Sequence, residues 1–242
     1  MDLRGKVAVV TGGAHRVGKA IALALADAGC HVVVHYHTSG EAAATVDEIQ
    51  SRGVRAVAVA ANLAEPAGRE MVFDAARREL GGVDVLVNSA ASFQRGDVLS
   101  MSQAEWQQVL DINLSAPFFC AQLAARAMQA RGGGAIVNIV DLSAFRPWAH
   151  YPAHSVSKAG LRMLTEVLAK ALAPTIRVNA IAAGPVIKPP DWDEARWQTV
   201  GSHSLLKRTG SGYDVARAAL YLLQSDYVTG TTLVVDGGRS IA

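Results

Sequence analysis

"KVAVVTGGAHRVGKAIALALADAGCHVVVHY", residues 6–36, decides the fold. A short β-branched run at 6–12 turns through glycines into an alanine- and leucine-rich stretch near 17–29. A second β-branched run follows at 31–36. Both runs are apolar on both faces, the pattern of parallel strands covered by helices on either side. Glycines at such a strand-to-helix turn let a pyrophosphate approach the backbone and rest on the helix N-terminus. Gly12, Val17 and Gly18 are therefore candidate dinucleotide-binding residues.

The alternation continues along the chain. Further β-branched runs lie at 54–61, 83–89, 134–140, 176–182 and 231–238, with helical stretches near 40–52, 66–80, 103–131, 152–173 and 213–224. Helical stretches end at Gly29, Gly53 and Gly81, where a left-handed terminus costs little. The expected fold class is α/β. It is a single-domain Rossmann fold over residues 1–242, a doubly wound parallel sheet of about seven strands with helices on both faces. Residues 186–211 break the pattern and carry Trp192 and Trp197 among charges. They read as a lid over a ligand or as a surface excursion with a short amphipathic helix.

Composition narrows the function. Half of the 242 residues are apolar, the net charge is +2, and the basic residues are scattered, which leaves no electrostatic footprint for nucleic acid. No HExxH motif is present and no metal site is expected. Cys30 and Cys120 form no CxxC pair and read as buried thiols in a reducing cytoplasm. The apolar run at the N-terminus is too short for a signal peptide or a membrane span, so a cytoplasmic location without membrane attachment is expected.

The end of the second run selects the cofactor. An acidic residue there would bind the ribose hydroxyls of NAD, and an anionic 2′-phosphate disfavours one. "HYHTSGE" has no carboxylate until Glu41, while His37, Thr38 and Ser39 can donate hydrogen bonds and Arg16 can reach the same phosphate. NADP(H) is the expected cofactor.

In "HYPAHSVSKAG" (150–160), Pro152 suits a first helical turn, which places Tyr151 at the helix start and His154 within it. Lys158, four residues on, shares a face with His154.

Together these residues resemble the short-chain dehydrogenase/reductase family over essentially the whole chain. The resemblance rests on Thr11, Gly12 and Gly18, on "NLA" (62–64), "NSAAS" (88–92) and Asn113 in "DINLSAP". It continues in Lys158, "AAGPV" (182–186) and the terminal "VTGTTLVVDGG". Within the family the details look most similar to the pteridine and dihydromonapterin reductases. Arg16 stands where the common turn has its middle glycine, "HYHTS" resembles a phosphate-binding stretch, and Asp141 stands where the wider family has its catalytic serine.

The resemblance implies roles by position. Asn62, Leu63, Asn88, Ala90, Gly184 and Val186 would line the cofactor, and Lys158 would bind the nicotinamide ribose and lower a neighbouring acid's pKa. Asn113 would support a proton relay. Ser92, Phe93, Asp141, Tyr151 and Trp192 would meet the substrate, with Phe93 stacked on a flat ring. Long helices with broad apolar faces pair across subunits in this family, which implies a homotetramer.

The family's catalytic tyrosine position holds His154, because Tyr151 falls one turn too early. Ser89, Ala91 and Ala183 are further departures. Hydride delivery to C=O or C=N leaves an anion that needs a proton. An Asp141–His154 pair is the expected donor, since a carboxylate both orients and recharges an imidazole; Tyr151 is the other candidate. Three readings follow: an NADPH-dependent reductase of a dihydropterin-like heterocycle, a carbonyl or 3-oxoacyl reductase, or a non-catalytic NADP(H)-binding protein. Each would take a small-molecule ligand.

Overall fold

The computed structural model describes residues 1–38 and 40–242. The phosphate contact expected of Ser39 lies outside the described residues. Among the described residues, seven strands form one sheet: β1 (Val7–Thr11), β2 (His31–Tyr36), β3 (Ala56–Ala60), β4 (Val85–Asn88), β5 (Gly134–Asp141), β6 (Ile176–Ala183) and β7 (Thr232–Val235). Their order is β3-β2-β1-β4-β5-β6-β7, and every neighbouring pair is parallel. Among the described residues, eight α-helices accompany the sheet: α1 (Arg16–Asp27), α2 (Ala42–Gln50), α3 (Pro66–Ala75), α4 (Gln103–Leu110), α5 (Ala116–Gln129), α6 (Pro152–Leu172), α7 (Glu194–Ser202) and α8 (Gly212–Gln224).

The strand period of two divides the apolar runs between two cores. Val10, Val34 and Val87 face α1 and α8, where Ile21, Leu25, Leu222 and Leu223 are buried. Val9, Val33 and Leu86 face the opposite layer, against Val72 and Phe73 of α3, Cys120 and Met128 of α5, and Leu168 of α6. Each large side chain so buried contributes about 1.5–3 kcal/mol relative to exposure. Both thiols are free and buried, and burial pushes each up to about 12.

Two expected helices are interrupted. The stretch expected as one helix over 103–131 is α4, a wide π-type turn at Asp111–Ser115, and α5. Pro117, at the start of α5, has no N–H to return to the Asn113 carbonyl, so the α ladder opens there. The stretch expected over 66–80 likewise widens at Ala76–Leu80, after α3. Residues 186–211 contain α7, capped by the Asp193 carboxylate accepting from Arg196 N at 2.7 Å. The segment is tied down: Ser204 is buried, and Leu206 N donates to Gly237 O at 3.1 Å. Among the described residues no helix is long and apolar enough to cross a membrane.

The chain reverses direction across the sheet between β1 and β4, and at such a switch point the strand ends open a crevice. The residues singled out above at Gly12, His37, Asn88, Asp141 and Gly184 all lie at or just beyond the C-terminal ends of their strands.

Candidate active site

The glycine turn is closed by backbone contact. Gly12 has φ +63°, and a Cβ there would meet Ala90 Cα at 3.0 Å; a Cβ on Gly18 would stand 2.1 Å from Gly12 O. His35 holds the turn from beneath. Its Nδ1 accepts from Gly12 N at 3.1 Å, its carbonyl accepts from Gly13 N at 2.9 Å, and its Nε2 pairs with Ala61 O at 3.0 Å. Burial lowers the His35 pKa, which keeps Nδ1 an acceptor. Helix α1 starts with no side-chain cap and no acidic residue in its first turn, so its first amides remain available to an anion.

Arg16 explains why glycine is common at its position. Its φ is +53°, a left-handed conformation that costs a side chain about 1–2 kcal/mol. The guanidinium is exposed and has no hydrogen bond or ion pair among the described residues. His37 and Thr38 are exposed beyond β2. The glycine turn and the open start of α1 fit the pyrophosphate of a dinucleotide.

Ala90 N donates to Thr11 Oγ1 at 3.1 Å, and Asn62 Oδ1 accepts from Ala64 N at 3.1 Å. The Leu63 side chain and Val186 are buried, and Val17 is half-buried. Gly184 admits no side chain, since a Cβ would lie 2.7 Å from Asp236 Cα. The Asn88 amide is engaged inside the protein, donating to Asn138 Oδ1 at 2.9 Å.

On the other side of the crevice, Asn113 sits fully buried in the wide turn before α5. Its Oδ1 accepts from Ser92 N at 2.7 Å, and its Nδ2 donates to Ser92 O at 2.9 Å and to Ser157 Oγ at 3.0 Å. Asn113 thus locks the 88–92 loop to α6. His154 Nδ1 lies 3.2 Å from Ser92 O and 3.4 Å from Asn113 Nδ2. Both Asn113 hydrogens have closer acceptors, so the better partner of Nδ1 is the Ser92 carbonyl, which asks for an N–H.

The other ring nitrogen, Nε2, lies 2.7 Å from Asp141 Oδ2. Asp141 ends β5 and caps the next turn, Oδ1 accepting from Ser143 N at 2.8 Å and from the Ser143 hydroxyl. Burial alone would raise Asp141, but the His154 hydrogen bond, the Lys158 charge and Ser143 together hold its carboxyl below the usual range. Two acceptors therefore flank one ring, an arrangement satisfied in full by an imidazolium. The exposed member of the pair is the carboxylate: the His154 side chain is 3% exposed, that of Asp141 21%.

Lys158, one turn along α6, is buried and donates from Nζ to Ile139 O at 2.9 Å. Burial lowers its pKa, and the Asp141 charge opposes that shift.

Aromatic rings wall the pair. Trp148 stacks on His154 at 5.9 Å, Phe93 meets His154 edge-on at 4.8 Å, and Tyr151 stacks on Phe93 at 4.4 Å. The Phe93 face turned to Tyr151 is thereby occupied, although the residue remains largely exposed. Trp192 is not part of this cluster; it packs on Trp197 at 6.5 Å and under the Arg196 guanidinium at 3.9 Å. Trp148, Ser143 and Ser157 join the site without having been anticipated. An Asp-x-Ser spacing is an Asx-turn signal that points to Ser143, whereas nothing local marks Trp148. Among the described residues, no three His, Cys, Asp or Glu side chains converge as a metal site would require.

A family model described as enoyl-(acyl carrier protein) reductase matches residues 12–240. The chain is 38% identical to 3beta-hydroxysteroid dehydrogenase 1 of Eggerthella lenta, over 99% of this chain and 95% of that protein. It is 35% identical to 2-dehydro-3-deoxy-D-gluconate 5-dehydrogenase of Escherichia coli, over 98% and 96%. L-sorbose reductase from Gluconobacter frateurii, whose crystal structure holds NADPH and L-sorbose, superposes with a TM-score of 0.94. It is 30% identical, with all of both chains covered. These relatives are named for a hydroxysteroid, a sugar acid and a sugar, and none of the three is named for a pteridine.

Proposed function

Because the chain belongs to the short-chain dehydrogenase/reductase family, an oxidoreductase family, we propose that it is an NADP(H)-dependent carbonyl reductase or alcohol dehydrogenase with an Asp–His proton donor. The single observation carrying this reading is the 2.7 Å contact between His154 Nε2 and Asp141 Oδ2, with the carboxylate facing the crevice. A bound nicotinamide supplies hydride to the carbonyl carbon, or takes it from the carbinol carbon. The chain's own part is to hold the substrate oxygen and to move one proton. In reduction, the His154 Nε2 proton is relayed through the Asp141 carboxylate to that oxygen and leaves a neutral imidazole beside the carboxylate; in oxidation the pair takes the proton back. A lone carboxylate would repel a developing alkoxide, but a carboxylate paired with an imidazolium is neutral as a unit.

Lys158, fixed by the Ile139 carbonyl, holds a positive charge behind Asp141 and keeps a donor for the nicotinamide ribose. Asn113 positions His154 by pinning Ser92. Gly12, Val17 and Gly18 admit the pyrophosphate, and Arg16 with His37 and Thr38 holds the 2′-phosphate. The NADPH bound by the L-sorbose reductase supports that choice. A homotetramer is proposed from the exposed apolar residues Phe118 and Phe119 on α5 and Val156, Met163 and Val167 on α6.

The test follows NADPH and NADH oxidation against ketones, oxo-sugars and dihydropterins from pH 5 to 9. Reduction should be lost at every pH in Asp141→Asn and in His154→Phe, with NADPH affinity little changed. A wild type inert toward every substrate, with turnover only in Asp141→Ser/His154→Tyr, overturns the proposal and leaves a binding protein. Turnover confined to dihydropterins favours the heterocycle reading, for which the exposed Phe93 is the supporting observation.

A further inference from the structure

The wall of the Asp–His pair is also the wall of a second space. A pocket of about 460 Å³ is lined by Leu142, Arg146, Trp148, His203, Arg239, Ser240 and Ala242. Leu142 follows Asp141 directly, and Trp148 is the ring stacked on His154, so the pocket and the reacting pair share Trp148. Three basic side chains from three elements converge here: Arg146 from the loop after β5, His203 from the end of α7, and Arg239 from the turn after β7.

Among the described residues, no Asp or Glu side chain lines the pocket. Asp141, next to Leu142, is held by Ser143 and His154, and Asp236, three residues before Arg239, is committed to the backbone, accepting from Gly238 N at 2.8 Å and Ser240 N at 2.7 Å. The guanidinium of Arg146 and the ring of His203 have no hydrogen bond or ion pair among the described residues. Arg239 gives one donor to Val200 O at 2.8 Å and keeps the rest. An apolar wall with unpaired guanidinium groups suits an organic anion, because the planar fork matches a carboxylate.

We propose that this pocket is the subsite for a carboxylate on the substrate, and that Arg146 and Arg239 make the protein select oxo- or hydroxy-acids over uncharged analogues. This rests on Asp141 and His154 marking the reacting end. Leu142 and Trp148 then cover the carbon chain between the reacting carbon and the anion.

The experiment uses the full-length protein with NADP(H) and matched probes, the oxoalkanoates 4-oxopentanoate and 5-oxohexanoate beside their uncharged amides. Binding is read by calorimetry with NADP⁺ bound, turnover by NADPH oxidation. The wild type should bind an acid about tenfold or more tightly than its amide, a preference that weakens with added salt. In Arg146→Gln the acid-to-amide ratio should fall toward one. Arg239→Gln should act likewise, but Arg146→Gln decides, since its guanidinium holds no other structure. Equal binding of acid and amide overturns the subsite, as does a preference that survives Arg146→Gln. A preference lost in Arg146→Gln, without turnover of any probe, supports the subsite and counts against the proposed reaction.

Discussion

Removing both halves of the Asp141–His154 pair should cost less than the two single losses added together. Nε2 and Oδ2 lie 2.7 Å apart, the ring is 3% exposed, and the second carboxylate oxygen is already held by Ser143. Asp141→Asn leaves a nearly buried ring without its anion and should cost about 2–3 kcal/mol, somewhat less than a fully buried pair because Asp141 touches solvent. His154→Phe keeps the ring volume between Trp148 and Phe93 and should cost about 1–2 kcal/mol, since the carboxylate keeps Ser143 and some water. If the pair is coupled as drawn, the double variant should lose only about 2 kcal/mol, a coupling of roughly 2 kcal/mol. Urea unfolding of the four proteins at pH 7, without cofactor, measures this. For a chain of this length the Asp141→Asn loss corresponds to a fall in Tm of about 4–12 °C. The sign with pH is fixed by Asp141, whose folded pKa is held below its ordinary 3.8. Its contribution is present above that value and lost as pH falls through the folded one, so the gap between wild type and Asp141→Asn should hold from pH 5 to 7 and narrow below about 4. Single losses that add to the double within about 0.5 kcal/mol would refute the pairing.

Two further outcomes follow from the cofactor end. Gly18→Ala would put a Cβ 2.1 Å from Gly12 O and force α1 away from the turn; NADPH affinity measured by fluorescence titration should drop at least about tenfold, and unchanged affinity would refute the close-contact argument. His35, whose pKa burial lowers, stabilises the fold while neutral, so its contribution is present above its ordinary 6.5 and declines as pH falls below it. Thermal unfolding of wild type and His35→Gln from pH 8 to 5 should show the wild-type advantage shrinking toward acid, and a constant difference would show that His35 does not titrate with folding.

Much of the site was legible because strand and helix periods tie burial to sequence position. Val9 and Val10 fall on opposite faces of β1, and the turn at Gly12 follows from where β1 must stop. Once the sheet is assumed parallel, Asp141, Gly184 and the 88–92 loop must share one edge. The lysine and histidine of α6 share a face by spacing alone. The wide turn at Asn113 was legible in principle from Pro117, yet the apolar pattern runs unbroken across it.

The sequence by itself determined a doubly wound sheet, a phosphate-ready glycine turn, and a histidine where this family keeps a tyrosine. These follow from local periodicity, from the conformations glycine and proline permit, and from residue identity. Only the tertiary structure decided that His154 faces inward and Asp141 outward, that Trp148 seals the ring, and that Arg146 and Arg239, 93 positions apart, meet in one pocket. Such contacts depend on where β5 ends against α6 and on how the turn after β7 folds back. An ångström there makes or breaks a hydrogen bond, and no local pattern of residues encodes it.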